Sequence, residues 1–148
     1  MKKIIFMICA ALLIAGCGNK EEKKSLEDLI IGEWHSTSLS MSEASSYAGE
    51  VYVGFNADKT FELYQKIGEG AFRLYRGTWN LDGDILAGKY NDGEEWGTPY
   101  QISIDGKTLA MKYSIHDSEV TVVYTSAIIP SEVKVGCEVV VKSEGAGF

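Results

Sequence analysis

From Glu33 to Ile128 apolar and polar side chains alternate, and turn-forming residues break the alternation at short intervals. A period of two is the mark of a strand with one face buried and one in water. The segments are Glu33–Met41, Tyr47–Phe55, Thr60–Ile67, Phe72–Leu81, Ile85–Tyr90, Pro99–Ile104, Thr108–Ile115 and Glu119–Ile128. Between them stand Asn56-Ala57-Asp58-Lys59, Gly68-Glu69-Gly70, Asp82-Gly83-Asp84, Asn91-Asp92-Gly93, Asp105-Gly106-Lys107 and His116-Asp117-Ser118. Asp-Gly and its relatives tolerate the positive φ that tight hairpins require. These connections are too short for crossover helices, so the strands must be antiparallel neighbours in chain order.

The alternation also assigns faces. Val51, Val53 and Phe55 share one side of their segment, as do Phe61, Leu63 and Ile67, Leu109, Met111, Tyr113 and Ile115, and Val120, Val122 and Tyr124. One apolar face per strand describes a meander around a single interior. Eight strands is about the number that closes into a small barrel, and closure removes the exposed edges of an open sheet. The expected fold is therefore all-β, an eight-stranded antiparallel up-and-down barrel. Val133, Val135, Cys137, Val139 and Val141 alternate in the same way after a turn at Pro130-Ser131, which allows a ninth strand.

The residues ahead of the barrel divide in three. Ser25–Ile31 reads as a short helix: Ser25 can cap it, Asp28 completes a capping box, and Leu26, Leu29 and Ile30 share a face. Residues 18–24 (GNKEEKK) have no apolar anchor and read as a flexible tether. Residues 1–16 run from Lys2 and Lys3 through an apolar stretch to small residues, the order of an export signal and too short to span a bilayer. Ile14-Ala15-Gly16-Cys17 resembles a bacterial lipobox. That resemblance implies cleavage before Cys17 and acyl chains on its thiol, so that the membrane is reached through lipid. The expected organisation is a signal peptide (1–16), a lipidated Cys17 with its tether (17–24) and one barrel domain (25–148). Lys20-Glu21-Glu22 resembles the surface-export signal of Bacteroidota lipoproteins, which places the protein in the cell envelope, on the outer membrane, with surface exposure as one option.

Charge and residue types exclude several functions. The net charge is −7, and losing Lys2 and Lys3 with the leader makes it more negative. Nucleic acid and anionic lipid surfaces both reward clustered Lys and Arg, so neither is an expected partner. With Cys9 in the leader and Cys17 acylated, Cys137 has no disulfide mate, and its valine neighbours point to a buried, inert thiol. His35 and His116 lie on different segments without a second ligand at metal spacing, and the acidic turns lack the spaced series of a calcium loop. No nucleophile elbow or phosphate loop is present, so neither an enzyme nor a cofactor is expected. What remains is aromatic. Tyr75, Trp79, Tyr113 and Tyr124 fall on inward faces and could line a pocket or fill a core, whereas Trp96, in a loop, suggests a rim contact.

A short helix, then Gly32-Glu33-Trp34, then a meander resembles the lipocalins and their calycin relatives, in which such a Trp closes one end of the barrel. Phe55-Asn56-Ala57-Asp58-Lys59-Thr60-Phe61 and Gly77-Thr78-Trp79-Asn80-Leu81-Asp82-Gly83-Asp84 are similar to segments of lipocalin-like lipoproteins of the Bacteroidota type. The chain departs from the pattern at its end: no Arg follows in the last strands, and Lys134 and Lys142 are the only basic candidates to pack on Trp34. The resemblance implies that Gly32 and Trp34 close the barrel, and that a small apolar ligand in the interior, or a partner at the rim, is bound. Two other roles fit the same residues: an accessory subunit of an envelope assembly with a solid barrel, and an inhibitor of a secreted protease. The residues identify no protein partner.

Overall fold

The computed structural model describes residues 24–36, 49–144 and 147. Cys17, the leader, the tether up to Glu22 and Lys23, and the ends of the first two expected strands lie outside the described residues. A five-residue helix, α1 (Leu26–Ile30), leads in. The Ser25 hydroxyl accepts the Asp28 N–H at 3.1 Å, and the Asp28 carboxylate accepts the Ser25 N–H at 3.2 Å. The Ser25 hydroxyl also donates to the Asp28 carboxylate at 2.5 Å, and this bond, with that from the Ser25 N–H, holds the exposed Asp28 carboxyl below its ordinary pKa.

Eight strands follow: β1 (Gly32–Ser36), β2 (Gly49–Phe55), β3 (Thr60–Ile67), β4 (Arg73–Asp82), β5 (Ile85–Tyr90), β6 (Tyr100–Asp105), β7 (Thr108–Ile115) and β8 (Ser118–Ser126). Each pairs antiparallel with its neighbour in sequence, and β1 pairs with β8, so the barrel is closed. The β7–β8 turn shows the local chemistry. Ile115 faces Ser118 across a two-residue loop, and His116 and Asp117 both take positive φ, 43° and 64°. That is the twist that matches a hairpin to its right-handed strands. The strands run alternately up and down. Consequently α1 and the β2–β3, β4–β5 and β6–β7 turns share one end. The β3–β4, β5–β6 and β7–β8 connections share the other.

The β5–β6 ladder is short: only Ile85↔Gln101 and Leu86↔Tyr100 pair. Above Leu86 the chain folds back on β5 instead: the Trp96 N–H donates to Gly88 O at 2.9 Å and the Tyr90 N–H to Glu94 O at 2.7 Å. The Trp96 ring occupies the space a side chain at Gly88 would need. Trp96 is therefore core, 6% exposed, and the expected rim contact is corrected. A loop tryptophan looked exposed because the gap it patches is a tertiary feature.

The C-terminal segment also differs from simple alternation. Residues Ser131–Val135 form a helix, α2, and the ninth strand, β9 (Glu138–Val139), is two residues long. In a strand Val133 and Val135 would share a face; in a helix they lie nearly opposite. Val133 is 6% exposed and Val135 86%, so only the helix matches what the outer barrel wall can bury. Ile129 and Val133 cover Tyr52, Tyr64 and Leu74 there, with Phe72 and half-buried Cys137 at the margin. Burying a valine of this kind contributes about 1.5–3 kcal/mol. β9 then pairs in parallel with Arg73 and Leu74, the stretch of β4 that β5 does not reach.

Candidate functional site

The two ends of the interior are built differently. At the α1 end the Trp34 ring is 3% exposed, and its indole N–H donates to Ile30 O at 2.9 Å. Trp79 is equally enclosed: its N–H donates to Thr60 O at 3.0 Å, its ring meets Phe55 edge-on at 5.8 Å, and Lys59 Nζ sits 4.2 Å from the ring centroid. Each large ring has both an apolar contact and a partner for its polar atom. Among the described residues no arginine packs on Trp34. Lys134 instead reaches Glu33 at 2.6 Å, and the other Glu33 oxygen accepts the Ile129 N–H at 2.7 Å. Lys142 lies over Tyr90, 5.6 Å from its ring centroid. The basic residues of the C-terminal segment thus act on the barrel's outside and its far end.

At the opposite end lies a cavity of about 480 Å³. Val51, Leu63, Met111 and Val122 supply its apolar wall, Tyr100, Tyr113 and Tyr124 its aromatic wall, and Gln65, Thr98, Ser114 and His116 its polar points. The strands explain the lining. Val51, Gln65, Met111, Tyr113 and Val122 all occupy inward positions at or above the middle of β2, β3, β7 and β8, and register sets them side by side: Val51↔Gln65 and Met111↔Val122.

Edge-to-face rings continue from this wall into the packed interior. Tyr113 meets Tyr100 at 5.2 Å, Tyr100 meets Trp96 at 6.0 Å, Trp96 meets Phe61 at 5.2 Å, and Phe61 meets Tyr90 at 5.7 Å. Tyr75 closes the series against Tyr90 at 6.1 Å. Of the four aromatic residues singled out from the sequence, Tyr113 and Tyr124 line the cavity, while Tyr75 and Trp79 are packed in the core, Trp79 at the α1 end. Gly32 and Trp34 stand at the opposite, α1 end.

The cavity wall is built mainly of uncharged side chains. Among the described residues that line it none is Lys, Arg, Asp or Glu. Burial raises the pKa of the Tyr124, Tyr100 and Tyr113 hydroxyls, and for Tyr100 the neighbouring Tyr124, Tyr113 and Tyr90 add to the effect. All three remain protonated at any ordinary pH. Gln65 was not legible as a site residue, although it stands between Leu63 and Ile67 at an inward position. A polar residue in an apolar register was the available signal. Its side chain is 7% exposed, and its Oε1 atom is buried without a hydrogen-bond partner.

His35 and His116 remain apart. His35 is on the outer wall, stacked on Tyr52 at 4.2 Å and hydrogen-bonded to Glu50 at 3.1 Å, while His116 is in the β7–β8 turn. Among the described residues no three His, Cys, Asp or Glu side chains gather as a metal site, and no helix is long and apolar enough to cross a membrane.

No curated protein and no solved structure matches the chain. Residues 30–111, more than half of the sequence, match the family described as lipocalin-like domain. That span runs from the residue that receives the Trp34 hydrogen bond to the middle of β7, and so covers both the sealed end and much of the cavity wall. Closed meander, leading helix, Gly32-Glu33-Trp34 and family match agree: this chain belongs to the lipocalin-like domain family.

Proposed function

We propose that the chain is a lipid-anchored binding protein of the bacterial cell envelope, of the Bacteroidota lipoprotein type, which holds a small apolar molecule inside its barrel. Lipocalin-like barrels are generally non-catalytic and can in general bind small ligands. The observation that carries the binding reading is the cavity of about 480 Å³ at the end opposite α1, walled by aliphatic side chains and by Tyr100, Tyr113 and Tyr124. Its size is that of ordinary small-molecule sites, and an apolar wall with a few polar points is their usual composition. A barrel serving only as a solid accessory subunit has no use for such a space.

The anchor is argued from the sequence alone: the leader of residues 1–16, Ile14-Ala15-Gly16-Cys17, and the tether that follows. Acyl chains on Cys17 hold a protein at a membrane where its acidic surface would not, since each buried CH₂ contributes about 0.8 kcal/mol. Cys17→Ser should shift the protein out of the membrane fraction or leave it unprocessed. A mature N-terminus at any other residue would refute the anchor.

Binding is tested with the neutral fluorescent probe N-phenyl-1-naphthylamine. One molecule per chain is expected. At a hundredfold excess over Kd it should stabilise the fold by about 2.7 kcal/mol. No enhancement and no shift in Tm, with this probe and with a panel of neutral aromatics, would return the barrel to the accessory reading.

A further inference from the structure

The position of Gln65 carries the reading one step further, to the chemical class of the ligand, and this step rests on the binding role proposed above. Gln65 lies on β3 between Leu63 and Ile67, faces Val51 across the β2–β3 ladder, and lines the cavity. Every other inward position at or below it on β2 and β3 is aliphatic or aromatic: Val51, Val53, Phe55, Phe61 and Leu63. Its side chain is more than nine-tenths buried, and its Oε1 has no hydrogen-bond partner. A buried acceptor left unmade is costly in the empty protein and becomes favourable once a donor arrives. Among the described lining residues there is no Lys, Arg, Asp or Glu; the groups able to carry charge nearby, the His116 imidazole and Arg73 opposite Gln65 on β4, stand at the rim, and the Tyr100, Tyr113 and Tyr124 hydroxyls of the wall are neutral. An acid or an amine passing below that rim to the aliphatic and tyrosine wall would lose its hydration without gaining a counter-charge there.

We infer that the barrel selects uncharged, ring-bearing apolar molecules that carry a hydroxyl or N–H donor, and that Gln65 Oε1 is the acceptor that fixes them. Tyr113 and Tyr100, edge-to-face at 5.2 Å, provide the aromatic wall against which such a ring packs. The apolar body gives affinity; the single donor–acceptor pair gives orientation and selectivity, because a donorless analogue leaves the glutamine oxygen buried and unmade.

The test uses the purified full chain and three probes of one shape: 1-naphthol, which carries a donor; 1-methoxynaphthalene, in which the donor is capped; and 1-naphthoate, an anion. Equilibrium binding near neutral pH should favour 1-naphthol over 1-methoxynaphthalene by about tenfold, with 1-naphthoate weakest. Gln65→Met keeps the length of the side chain and removes the acceptor. It should bring 1-naphthol down to the affinity of 1-methoxynaphthalene and leave the latter unchanged or improved. Equal binding of 1-naphthol and 1-methoxynaphthalene to the wild-type chain overturns the donor rule while leaving the cavity reading intact, and needs no variant to be informative. Preference for 1-naphthoate overturns the neutral class. A tenfold preference that survives in Gln65→Met overturns the assignment to Gln65. Binding of none of the three overturns both this inference and the proposed function.

Discussion

The two ends of this barrel obey one sequence rule and reach opposite results. At the α1 end, inward residues are large and complete: Trp34 and Trp79 are buried, and each indole N–H finds a backbone carbonyl. At the other end inward residues are also largely apolar, but they leave a cavity of about 480 Å³ and a buried glutamine oxygen without a partner. A period of two therefore specifies which side chains face in; it does not specify whether they meet. Meeting depends on ring size, on the cap across the barrel's end, and on polar atoms finding partners. The end with a helix across it is sealed; at the other end the described residues, which are connections between strands, leave the cavity.

The largest effect should come from the sealed end. Trp34→Ala removes a buried ring and its hydrogen bond to Ile30, and should destabilise the fold by about 3–5 kcal/mol. Chemical denaturation measures it. A loss below about 1 kcal/mol would mean that this end holds no more than the cavity end does, and the contrast would collapse.

A paired truncation sharpens the contrast within one ring series. Tyr75 is fully buried among packed rings, whereas Tyr113 borders the cavity and keeps partial contact with solvent. Tyr75→Ala should cost about 3 kcal/mol, because the surrounding core cannot collapse fully into the hole. Tyr113→Ala should cost about 1 kcal/mol, since one side of its ring already lacks neighbours, and it should weaken binding of an apolar probe. Equal costs would show that the cavity wall is packed as tightly as the core.

The contrast also explains what the sequence disclosed. The eight strands were legible because each buries one face, and because turns such as His116-Asp117 and Asp105-Gly106 declare their own geometry. The helix cap at Ser25 was legible for the same reason, as a local pattern with a fixed spacing, whereas Trp34 drew attention only through the resemblance of Gly32-Glu33-Trp34 to the lipocalins. Of the site, Tyr113 and Tyr124 were legible as inward aromatics. Their separation from Tyr75 and Trp79 was not, since all four carry the same pattern and differ only in what lies across the barrel. Trp96 was misread because its burial depends on Gly88 and on the short β5–β6 ladder, neither of which is visible in its own neighbourhood. Residues Ser131–Val135 were misread because five residues cannot distinguish a period of 2 from one of 3.6 when valines stand two apart.

The smallest effects should lie on the outer wall, where the C-terminal segment links the two ends. It leaves β8 at the α1 end, where Glu33 receives both the Ile129 N–H and the Lys134 ammonium. It then crosses Tyr52 and Tyr64, pairs with β4 through Glu138 and Val139, and reaches Asp92 through the Ser143 N–H at 3.3 Å. The Lys134–Glu33 pair is roughly 41% and 31% exposed, so water screens it, and Lys134→Ala should cost no more than about 1 kcal/mol. Glu33→Ala should cost more, about 1.5–3 kcal/mol, because it also strips a partly buried N–H of a charged acceptor. Neither change touches the cavity wall, and Ile129, Val133 and β9 still hold the segment, so probe affinity should remain within about twofold of wild type in Lys134→Ala. A loss of affinity there would show that the outer segment sets the shape of the open end, and that the two ends are mechanically joined rather than merely different.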